Sequence, residues 1–498
     1  MPSITPHLMR AVVAAFAVSG AAVTPVAAAG NAPAPRPPAD AADRWLGDWN
    51  GALDAGGRRL HLTFHLNRDA QGRLGGTLDS PDQGASGIPL DSVSSAGDTL
   101  RVTLLHGGAR FTGAFAAEGI RGTWYQSGFG FPLDLGRGAA TVRVRPQDPV
   151  PPFPYAARDT TVANAAAGVS LACTVTLPPG KGPFPAVLLI TGSGAQDRDE
   201  ALLGHRPFLV LADHLTRHGF AVMRCDDRGT ARSTGVFAAA TTRDFVGDAR
   251  AEFEALRRWP GVDPRRVGLV GHSEGGVIAP WLAASDPRVA FVVLLAGPGI
   301  PGDSLLVLQT EAIERASGAG DSSVAATGAL EHRLLADIIA GADSAALARG
   351  LATRIADRLR GQGRSGADAD AVAAMQTRML LSPWFRAFIA HDPRPDLRRT
   401  RCPVLAMNGS LDAQVPAAEN LPAVAAALRE GGNRDVRIVE LPGLNHLFQT
   451  ATTGLPAEYG AIDETFAPAA LDTLTDWLVA HARGRTDERR ETRHRPGT

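Results

Sequence analysis

The stretch "RRVGLVGHSEGGVIAP", residues 265–280, decides how the rest of the chain is interpreted. Its first apolar run is typical of a buried strand, and the apolar run at its end can begin a helix. Between them lies a glycine-rich turn, in which bulky side chains at Gly271 and Gly275 would collide with neighbouring backbone. The stretch therefore predicts a strand-turn-helix that projects the hydroxyl of Ser273 clear of a sheet.

A Gly-x-Ser-x-Gly pattern alone is weak evidence for a nucleophile, because glycine accounts for 55 of the 498 residues. A serine hydroxyl attacks only when a base removes its proton and an acid orients that base. Two later strand ends supply both groups, since Asp412 follows "PVLAMNGSL" and His446 follows "VRIVELPGLN". The chain order Ser, Asp, His predicts a catalytic triad of Ser273, Asp412 and His446.

Beyond about residue 155 the sequence alternates apolar runs with amphipathic segments, as in "FPAVLLITGSG", "GFAVMRCDDRG" and "VAFVVLLAG". Continuous Val/Leu-rich strands between helices predict a mostly parallel sheet with helices on both faces. Chemistry in such sheets collects at the carboxyl ends of the strands, where the three triad residues fall. The interval of about 301–399 has a sequence typical of helices and no convincing core strand, and we interpret it as a helical cap.

The segment before residue 145 has a different character. Short alternating runs separated by Gly, Asp and Asn turns predict a small antiparallel β module over 43–144. A proline-rich linker is predicted at 145–155, and the charged tail 483–498 is predicted to be disordered. The aromatic residues of the module either form its core, which we favour, or line a ligand-binding face; they are Trp45, Trp49, Phe64, Trp124, Tyr125 and Phe129.

The first 29 residues have the layout of a secretory signal peptide. They contain a basic region at Arg10, an apolar run over 11–23 and small residues at 27–30. The apolar run is short for a membrane span, and a Pro/Ala-rich linker over 30–42 follows it. These features predict an exported protein, periplasmic or secreted, with no membrane span in its mature form; an uncleaved anchor or a buried helix is the alternative.

Composition and cysteine usage limit the partners. The formal net charge of −1 gives no electrostatic reason to expect a nucleic-acid partner. The sequence has neither a phosphate-binding Gly-Lys-Thr loop nor zinc-ligand spacing, so we expect no cofactor and no metal. Cys173, Cys225 and Cys402 lie within or beside predicted strands, which leaves open a disulfide between two of them.

In combination, "ITGSGAQDRD", "CDDRGTARSTG", "GHSEGG", "NGSLDAQVP" and "PGLNHLFQ" resemble the α/β-hydrolase superfamily. The resemblance is closer to bacterial exported esterases related to the serine aminopeptidase-like and dienelactone hydrolase-like groups, and it extends over roughly 160–480. It implies an α/β-hydrolase fold over 156–482, with a helical cap insertion. The β module resembles lipocalin-like modules attached to some exported bacterial hydrolases.

The same resemblance implies roles for the triad. Ser273 is the nucleophile, His446 the general base and then acid, and Asp412 the residue that holds the imidazole tautomer. An oxyanion hole also requires backbone N–H groups aimed at the developing charge. Glu274, which follows the nucleophile, should give one, and Ser193 in "ITGSG" the other, with Gly194 as the alternative donor.

Several polar and aromatic residues near these motifs have two interpretations each. The side chain of Glu274 is expected to be structural, with an influence on polar substrates or on the local pKa as the alternative. His272 is expected to point away from the serine. Arg198 and Arg228 are expected to pin the loops beside the site, a clamp on a substrate carboxylate being the alternative. In the cap, one aromatic cluster forms either the wall of a substrate pocket or packing against the core: Trp384, Phe385 and Phe388.

These observations predict a serine hydrolase that cleaves a small-molecule carboxylic ester through an acyl-enzyme. A peptidase or amidase is the first alternative, because the same triad serves both reactions. An acidic anchor for a free α-amino group would favour a peptidase, and the sequence identifies none. A non-catalytic protein that binds a ligand through the β module is the third hypothesis, and the complete triad argues against it. The oligomeric state, the acyl chain and the alcohol are left open.

Overall fold

The computed structural model shows a curled antiparallel β domain followed by a mixed sheet with helices. The predicted signal peptide, the 30–42 linker and the charged tail lie outside the residues that it describes. Those residues are 43–54, 59–69, 71–80, 85–104, 109–116, 119–126, 129–138, 145–341, 344–361 and 366–482.

The β domain contains nine strands within the described residues. Strand β1 pairs antiparallel with β2 on one side and with β9 on the other, so the sheet curls around its own core. The sheet order is β4-β3-β2-β1-β9-β8-β7-β6-β5. The strands are β1 (Gly47–Asp54), β2 (Arg59–Arg68), β3 (Leu74–Ser80), β4 (Ala85–Pro89), β5 (Ser92–Ala96), β6 (Thr99–Leu104), β7 (Ala109–Ala116), β8 (Gly119–Gln126) and β9 (Phe129–Arg137).

Aromatic side chains of the β domain form its core. Trp45, Trp49, Phe64 and Trp124 are all buried, and the last two rings lie 6.1 Å apart. Their burial confirms the core interpretation for these four residues. Tyr125 is half-buried beneath the guanidinium of Arg110, and the side chain of Phe129 lies outside the described residues.

The segment predicted to be a linker is bonded to the domain that follows it. The guanidinium of Arg145 is buried and donates to the carbonyls of Leu203 and Gly460, each at 2.9 Å. The side chain of Gln147 donates to the carbonyl of Phe466 at 2.7 Å. The start of this segment is therefore fixed against the second domain, which its proline content did not indicate.

The second sheet has eight strands in the order β10-β11-β13-β12-β14-β15-β16-β17. Strands β10 and β11 join antiparallel, and the pairs from β13 to β17 are parallel. Strand β12 contributes Leu188 to the apolar core on one face and Leu189 to the core on the other, as its continuous apolar sequence predicts. The strands are β10 (Ala156–Asn164), β11 (Val169–Leu177), β12 (Phe184–Ile190), β13 (Ala221–Cys225), β14 (Val262–His272), β15 (Val292–Leu295), β16 (Val404–Gly409) and β17 (Val436–Leu441).

Helices cover both faces of this sheet. None of the helices in the described part of the chain combines the length and the apolar character needed to cross a membrane. Six of them, α4–α9, lie between β15 and β16, where the helical insertion was expected. The helices are α1 (Pro207–Arg217), α2 (Thr242–Arg257), α3 (Gly275–Ser285), α4 (Gly302–Ala316), α5 (Asp321–Ile339), α6 (Ser344–Gly361), α7 (Gly366–Leu380), α8 (Pro383–Ala390), α9 (Arg394–Arg399), α10 (Ala417–Glu430) and α11 (Pro468–Ala482).

A disulfide joins Cys173 of β11 to Cys225 of β13, and the thiol of Cys402 is free. The two cysteines are directly paired across the antiparallel strands. Their separation of 52 residues means that the bond restricts a long loop of the unfolded chain. The pairing that the sequence left open is therefore between the first two cysteines.

Reduction of this disulfide is expected to lower the free energy of unfolding by about 2–4 kcal/mol, because the unfolded chain regains loop entropy. The measurement is the urea midpoint with and without a dithiol reductant. The double variant Cys173→Ala/Cys225→Ala should lose the reductant effect, whereas Cys402→Ala should keep it. A wild-type midpoint that does not move after complete reduction would contradict the prediction.

Candidate active site

Ser273 lies in the sharp turn between β14 and α3. It is half-buried and has a φ of 53°, a strained value for a residue other than glycine. Its backbone N–H donates to the carbonyl of Leu295 at 2.9 Å. A side chain on Gly271 would overlap the carbonyl of Gly275, and one on Gly275 would overlap the carbonyl of Ile190. The strand-turn-helix predicted from the sequence is present. Its two glycines are required because neighbouring backbone leaves no room for a side chain at either position.

Asp412 and His446 form a buried hydrogen-bonded pair. Nδ1 of His446 lies 2.8 Å from Oδ2 of Asp412, and both residues are 4% exposed. The other carboxylate oxygen, Oδ1, accepts the backbone N–H groups of Gln414 and Val415, each at 2.8 Å. The carboxylate is therefore fixed by its own loop, and it orients the imidazole.

The sheet brings the three predicted triad residues to the same end, where its parallel strands have their carboxyl termini. Ser273 follows β14, Asp412 follows β16 and His446 follows β17, and these parallel strands lie within one run of neighbours. The ring of His272, the residue before the serine, has its centroid 4.8 Å from that of His446. The three candidate triad residues thus follow the carboxyl ends of strands in a single sheet.

The loop after β12 lies against Ser273. A side chain on Gly192 would approach Cβ of Ser273 to 3.2 Å. The N–H of Gly192 donates to Oε1 of Glu200 at 2.8 Å, and the hydroxyl of Thr191 donates to Asp227 at 2.7 Å. These bonds fix the loop on both sides of the segment in which Ser193 and Gly194 were nominated as oxyanion donors.

The carboxylate of Glu274 connects the nucleophile turn to the cap. It accepts the hydroxyl of Thr242 at 2.7 Å and the indole N–H of Trp384 at 3.1 Å. Burial raises the pKa of Glu274, and hydrogen bonds from Thr242, Trp384 and Ser193 partly offset that rise. These hydrogen bonds agree with the structural role expected for the side chain of Glu274, because they link the turn to α2 and to the cap.

The cap aromatics nominated from the sequence lie in one buried cluster. Trp384 is 4% exposed, Phe385 is fully buried, and Phe388 is 8% exposed. Trp384 stacks on Phe388 with ring centroids 5.7 Å apart, and all three belong to the apolar core of the cap. The indole N–H of Trp384 reaches Glu274, whereas the described contacts of the two phenylalanines are packing contacts within the cap.

Both nominated arginines are engaged by buried carboxylates. Arg198 donates to the two oxygens of Asp226 at 2.8 and 2.7 Å. Arg228 donates to the two oxygens of Asp248 at 2.6 and 2.8 Å. Bidentate pairs of this kind hold loops firmly, and they favour the loop-pinning interpretation over a clamp on a substrate carboxylate.

Sequence reasoning missed Glu200 and underestimated His272. The ring of His272 is buried, with Nδ1 2.9 Å from Oε1 of Glu200 and Nε2 3.0 Å from the carbonyl of His446. It does point away from the serine, as expected, but toward two other parts of the site. The only sequence signal was the need of a buried imidazole for two hydrogen-bond partners.

A cavity of about 30 Å³ lies behind the loop after β12, against Gly194, Glu252 and Glu274. Its size suits one or two water molecules. Burial raises the pKa of Glu252 well above its usual value. Among the described residues, Glu252, Cys173 and Cys225 form one cluster of potential metal ligands, and Glu252 and Cys225 also line this cavity. The disulfide removes both thiolates from that set, so it does not constitute a metal site in this structure.

The strand order, the helices on both faces and the tight turn at Ser273 define an α/β-hydrolase fold. The chain thus combines an α/β-hydrolase fold with an N-terminal antiparallel β domain. Residues 206–339 match the family described as Hydrolase_4, serine aminopeptidase S33.

Curated relatives share only part of this chain. Esterase EstD of Thermotoga maritima is 30% identical over 159 residues, which are 32% of this chain and 36% of that protein. Putative hydrolase YtaP of Bacillus subtilis is 26% identical over 151 residues, 27% of this chain and 50% of that protein. The chain thus spans half or less of the length of either relative. Among solved structures, the α/β-hydrolase GrgF from Penicillium has a TM-score of 0.42 and 16% identity, covering 67% of this chain and all of that one.

Proposed function

We propose that this protein is a serine hydrolase that cleaves carboxylic esters through an acyl-enzyme on Ser273. The observation that carries the proposal is that the buried His446–Asp412 pair lies at the same end of the sheet as a serine held at positive φ. A strained serine in a turn, at the same end of the sheet as an oriented imidazole, fits the arrangement that activates a hydroxyl for attack.

The chemistry follows from the hydrogen bonds of the imidazole. Because Nδ1 of His446 donates to Asp412, Nε2 is the nitrogen left to accept the proton of Ser273 as Oγ attacks the ester carbonyl. Collapse of the tetrahedral intermediate breaks the bond to the alkoxide, which leaves as the alcohol with that proton. Water then gives its proton to His446, attacks the acyl-enzyme and releases the acid, and the proton returns to Ser273.

The backbone amides of Glu274 and Ser193 are the proposed oxyanion donors. The amide of Gly192 is engaged by Glu200, which favours the next amide along the loop. Glu274 is the first residue of the turn after the nucleophile, where α/β-hydrolases place the second donor. No metal or cofactor enters this mechanism.

The contacts of Glu274 favour an ester over a peptide with a free amino terminus. An aminopeptidase needs a carboxylate near the nucleophile that can pair with the substrate ammonium group. Glu274 is the carboxylate adjacent to Ser273, and it already accepts hydrogen bonds from Thr242 and Trp384. The similarity to an esterase supports the same choice, whereas the matched family is described as serine aminopeptidases.

We also propose, from the sequence alone, that the protein is exported and that its N-terminal signal is removed. The substrate would then be a small ester present in the periplasm or outside the cell. Mass determination of the protein recovered from the periplasm and the medium tests this, since an intact N-terminus in the cytoplasmic fraction alone would contradict it.

The deciding experiment compares a chromogenic ester and the matched anilide that carries the same short acyl group. We expect Ser273-dependent ester hydrolysis, with anilide hydrolysis far slower, in measurements of kcat/KM. Comparable anilide turnover would replace the esterase proposal with an amidase. Failure of both substrates, together with failure of an alkyl phosphonate to label Ser273, would contradict the serine hydrolase proposal itself.

A further inference from the structure

We propose that His272 and Glu200 form a positioning pair that holds three segments of the site in their reactive arrangement. These segments are the nucleophile turn at Ser273, the general-base loop that carries His446, and the oxyanion loop that carries Ser193. This inference rests on the serine hydrolase function proposed above. It assigns a role to two residues outside the triad, neither of which contacts the substrate in the proposed mechanism.

The two nitrogens of His272 face different segments of the site. The carbonyl oxygen of His446 can only accept a hydrogen bond, so Nε2 of His272, 3.0 Å away, carries a proton. Nδ1 lies 2.9 Å from Oε1 of Glu200. His272 is covalently next to Ser273, so its ring ties the backbone of the base to the backbone of the nucleophile.

Glu200 extends this connection to the oxyanion loop. The oxygen that faces His272 also accepts the N–H of Gly192 at 2.8 Å. Gly192 immediately precedes Ser193, the proposed oxyanion donor, and lies against the nucleophile. The side chains of His272 and Glu200 are 9% and 6% exposed, so solvent does not replace these bonds. A single carboxylate oxygen therefore sets the distance between the oxyanion loop and the nucleophile turn.

The pair is most complete when His272 carries both protons. Burial lowers the pKa of His272, but Glu200, the carbonyl of His446 and the charge of Asp412 outweigh that effect and raise the pKa above its usual value. The charged or titratable groups that face the ring are Glu200, Asp412 and the ring of His446, and Glu200 also interacts electrostatically with Asp227. A deprotonated Nδ1 would turn a lone pair toward the carboxylate, which would push the two segments apart.

The expected consequence is a loss of kcat with little change in KM. A displacement of about 1 Å between reacting groups costs roughly 100-fold in rate, whereas ground-state binding of the substrate does not use this pair. His272→Leu, which removes both donors, is therefore expected to lower kcat by about 100-fold.

Two amide variants separate the two hydrogen bonds. In His272→Asn the amide nitrogen occupies the position of Nδ1 and keeps the donor to Glu200. In His272→Gln the amide nitrogen occupies the position of Nε2 and keeps the donor to the carbonyl of His446. Each is expected to recover part of the kcat lost in His272→Leu, and a failure of both to exceed it would count against the hydrogen bonds.

Glu200→Gln gives a readout that a purely structural role would not move. Without the carboxylate, burial lowers the pKa of His272, so the doubly protonated ring persists only at lower pH. The alkaline limb of the kcat profile is therefore expected to move to lower pH in Glu200→Gln. A profile that is scaled down but unmoved would overturn the proposal.

Controls separate this inference from the function on which it rests. His214→Leu alters a partly buried histidine whose ring bonds to Thr475 of α11 and not to the positioning pair, and it should leave kcat unchanged. Urea midpoints show which variants remain folded, and the isosteric Glu200→Gln keeps the test valid if His272→Leu does not fold. Wild-type turnover or phosphonate labelling that depends on Ser273 tests the function alone. If that activity is present and both His272→Leu and Glu200→Gln retain wild-type kcat and labelling rates, the positioning pair is excluded.

Discussion

Ser273→Ala is expected to lower kcat on the ester by a factor on the order of 10⁶, because removing a nucleophile eliminates the covalent route entirely. KM should change little, since the alanine removes one oxygen from a half-buried position. The residual rate above that of water would come from the oxyanion donors and from substrate binding. The measurement is kcat and KM for the ester, together with mass spectrometry of the phosphonate-treated protein, which should show no adduct.

Ser285→Ala is the matched control for this variant. Ser285 is an exposed serine at the end of α3, the same helix that begins after the nucleophile turn. Its replacement should leave kcat at the wild-type value, because exposed substitutions usually change stability by less than about 0.5 kcal/mol. Ester hydrolysis in Ser273→Ala at more than a hundredth of the wild-type rate would assign the nucleophile elsewhere.

The sequence predicted that Asp412 and His446 follow strand ends, and the structure places them there. Asp412 and His446 each follow an apolar run, and parallel strands deliver their carboxyl ends to one edge whatever the strand order. The turn at Ser273 could also be predicted, because close backbone contacts on both sides of it require glycine and these glycines are visible in the sequence. These residues are specified by local sequence combined with one general rule of parallel sheets.

Partners that come from distant segments could not be predicted. Glu200 reaches His272 across 72 residues, and Trp384 reaches Glu274 across 110 residues. No local pattern encodes such pairs, because they depend on how loops and the cap pack above the sheet. The fixed position of Arg145 has the same origin, since its acceptors lie in two loops remote in sequence.

The disulfide illustrates the limit set by strand order. Three cysteines allow three pairings, and the choice depends on which strands are neighbours. Strand β13 lies between β11 and β12 in the sheet, so Cys225 faces Cys173 across an antiparallel pair. That crossover is a property of the whole sheet, and it is absent from the sequence around either cysteine.

Asp412→Asn is expected to lower kcat by about 10⁴-fold while KM stays near the wild-type value. Oδ1 of Asp412 accepts two backbone N–H groups, from Gln414 and Val415, so an asparagine must keep its carbonyl oxygen there. Its amide group is then forced toward Nδ1 of His446 and donates to it. The imidazole must carry its proton on Nε2, which is the tautomer that cannot accept the proton of Ser273.

Asp435→Asn is the matched control, because Asp435 also pairs with a histidine but at the surface. Its side chain is 61% exposed and lies 3.3 Å from Nε2 of His481. Neutralising it removes a comparable carboxylate–imidazole contact without touching the site, so kcat should not change. The urea midpoint of Asp412→Asn shows whether the loop remains folded, since the asparagine keeps both backbone hydrogen bonds. A folded Asp412→Asn with a kcat within about tenfold of wild type would mean that the tautomer of His446 is set by another group, and the role of Asp412 in the triad would be withdrawn.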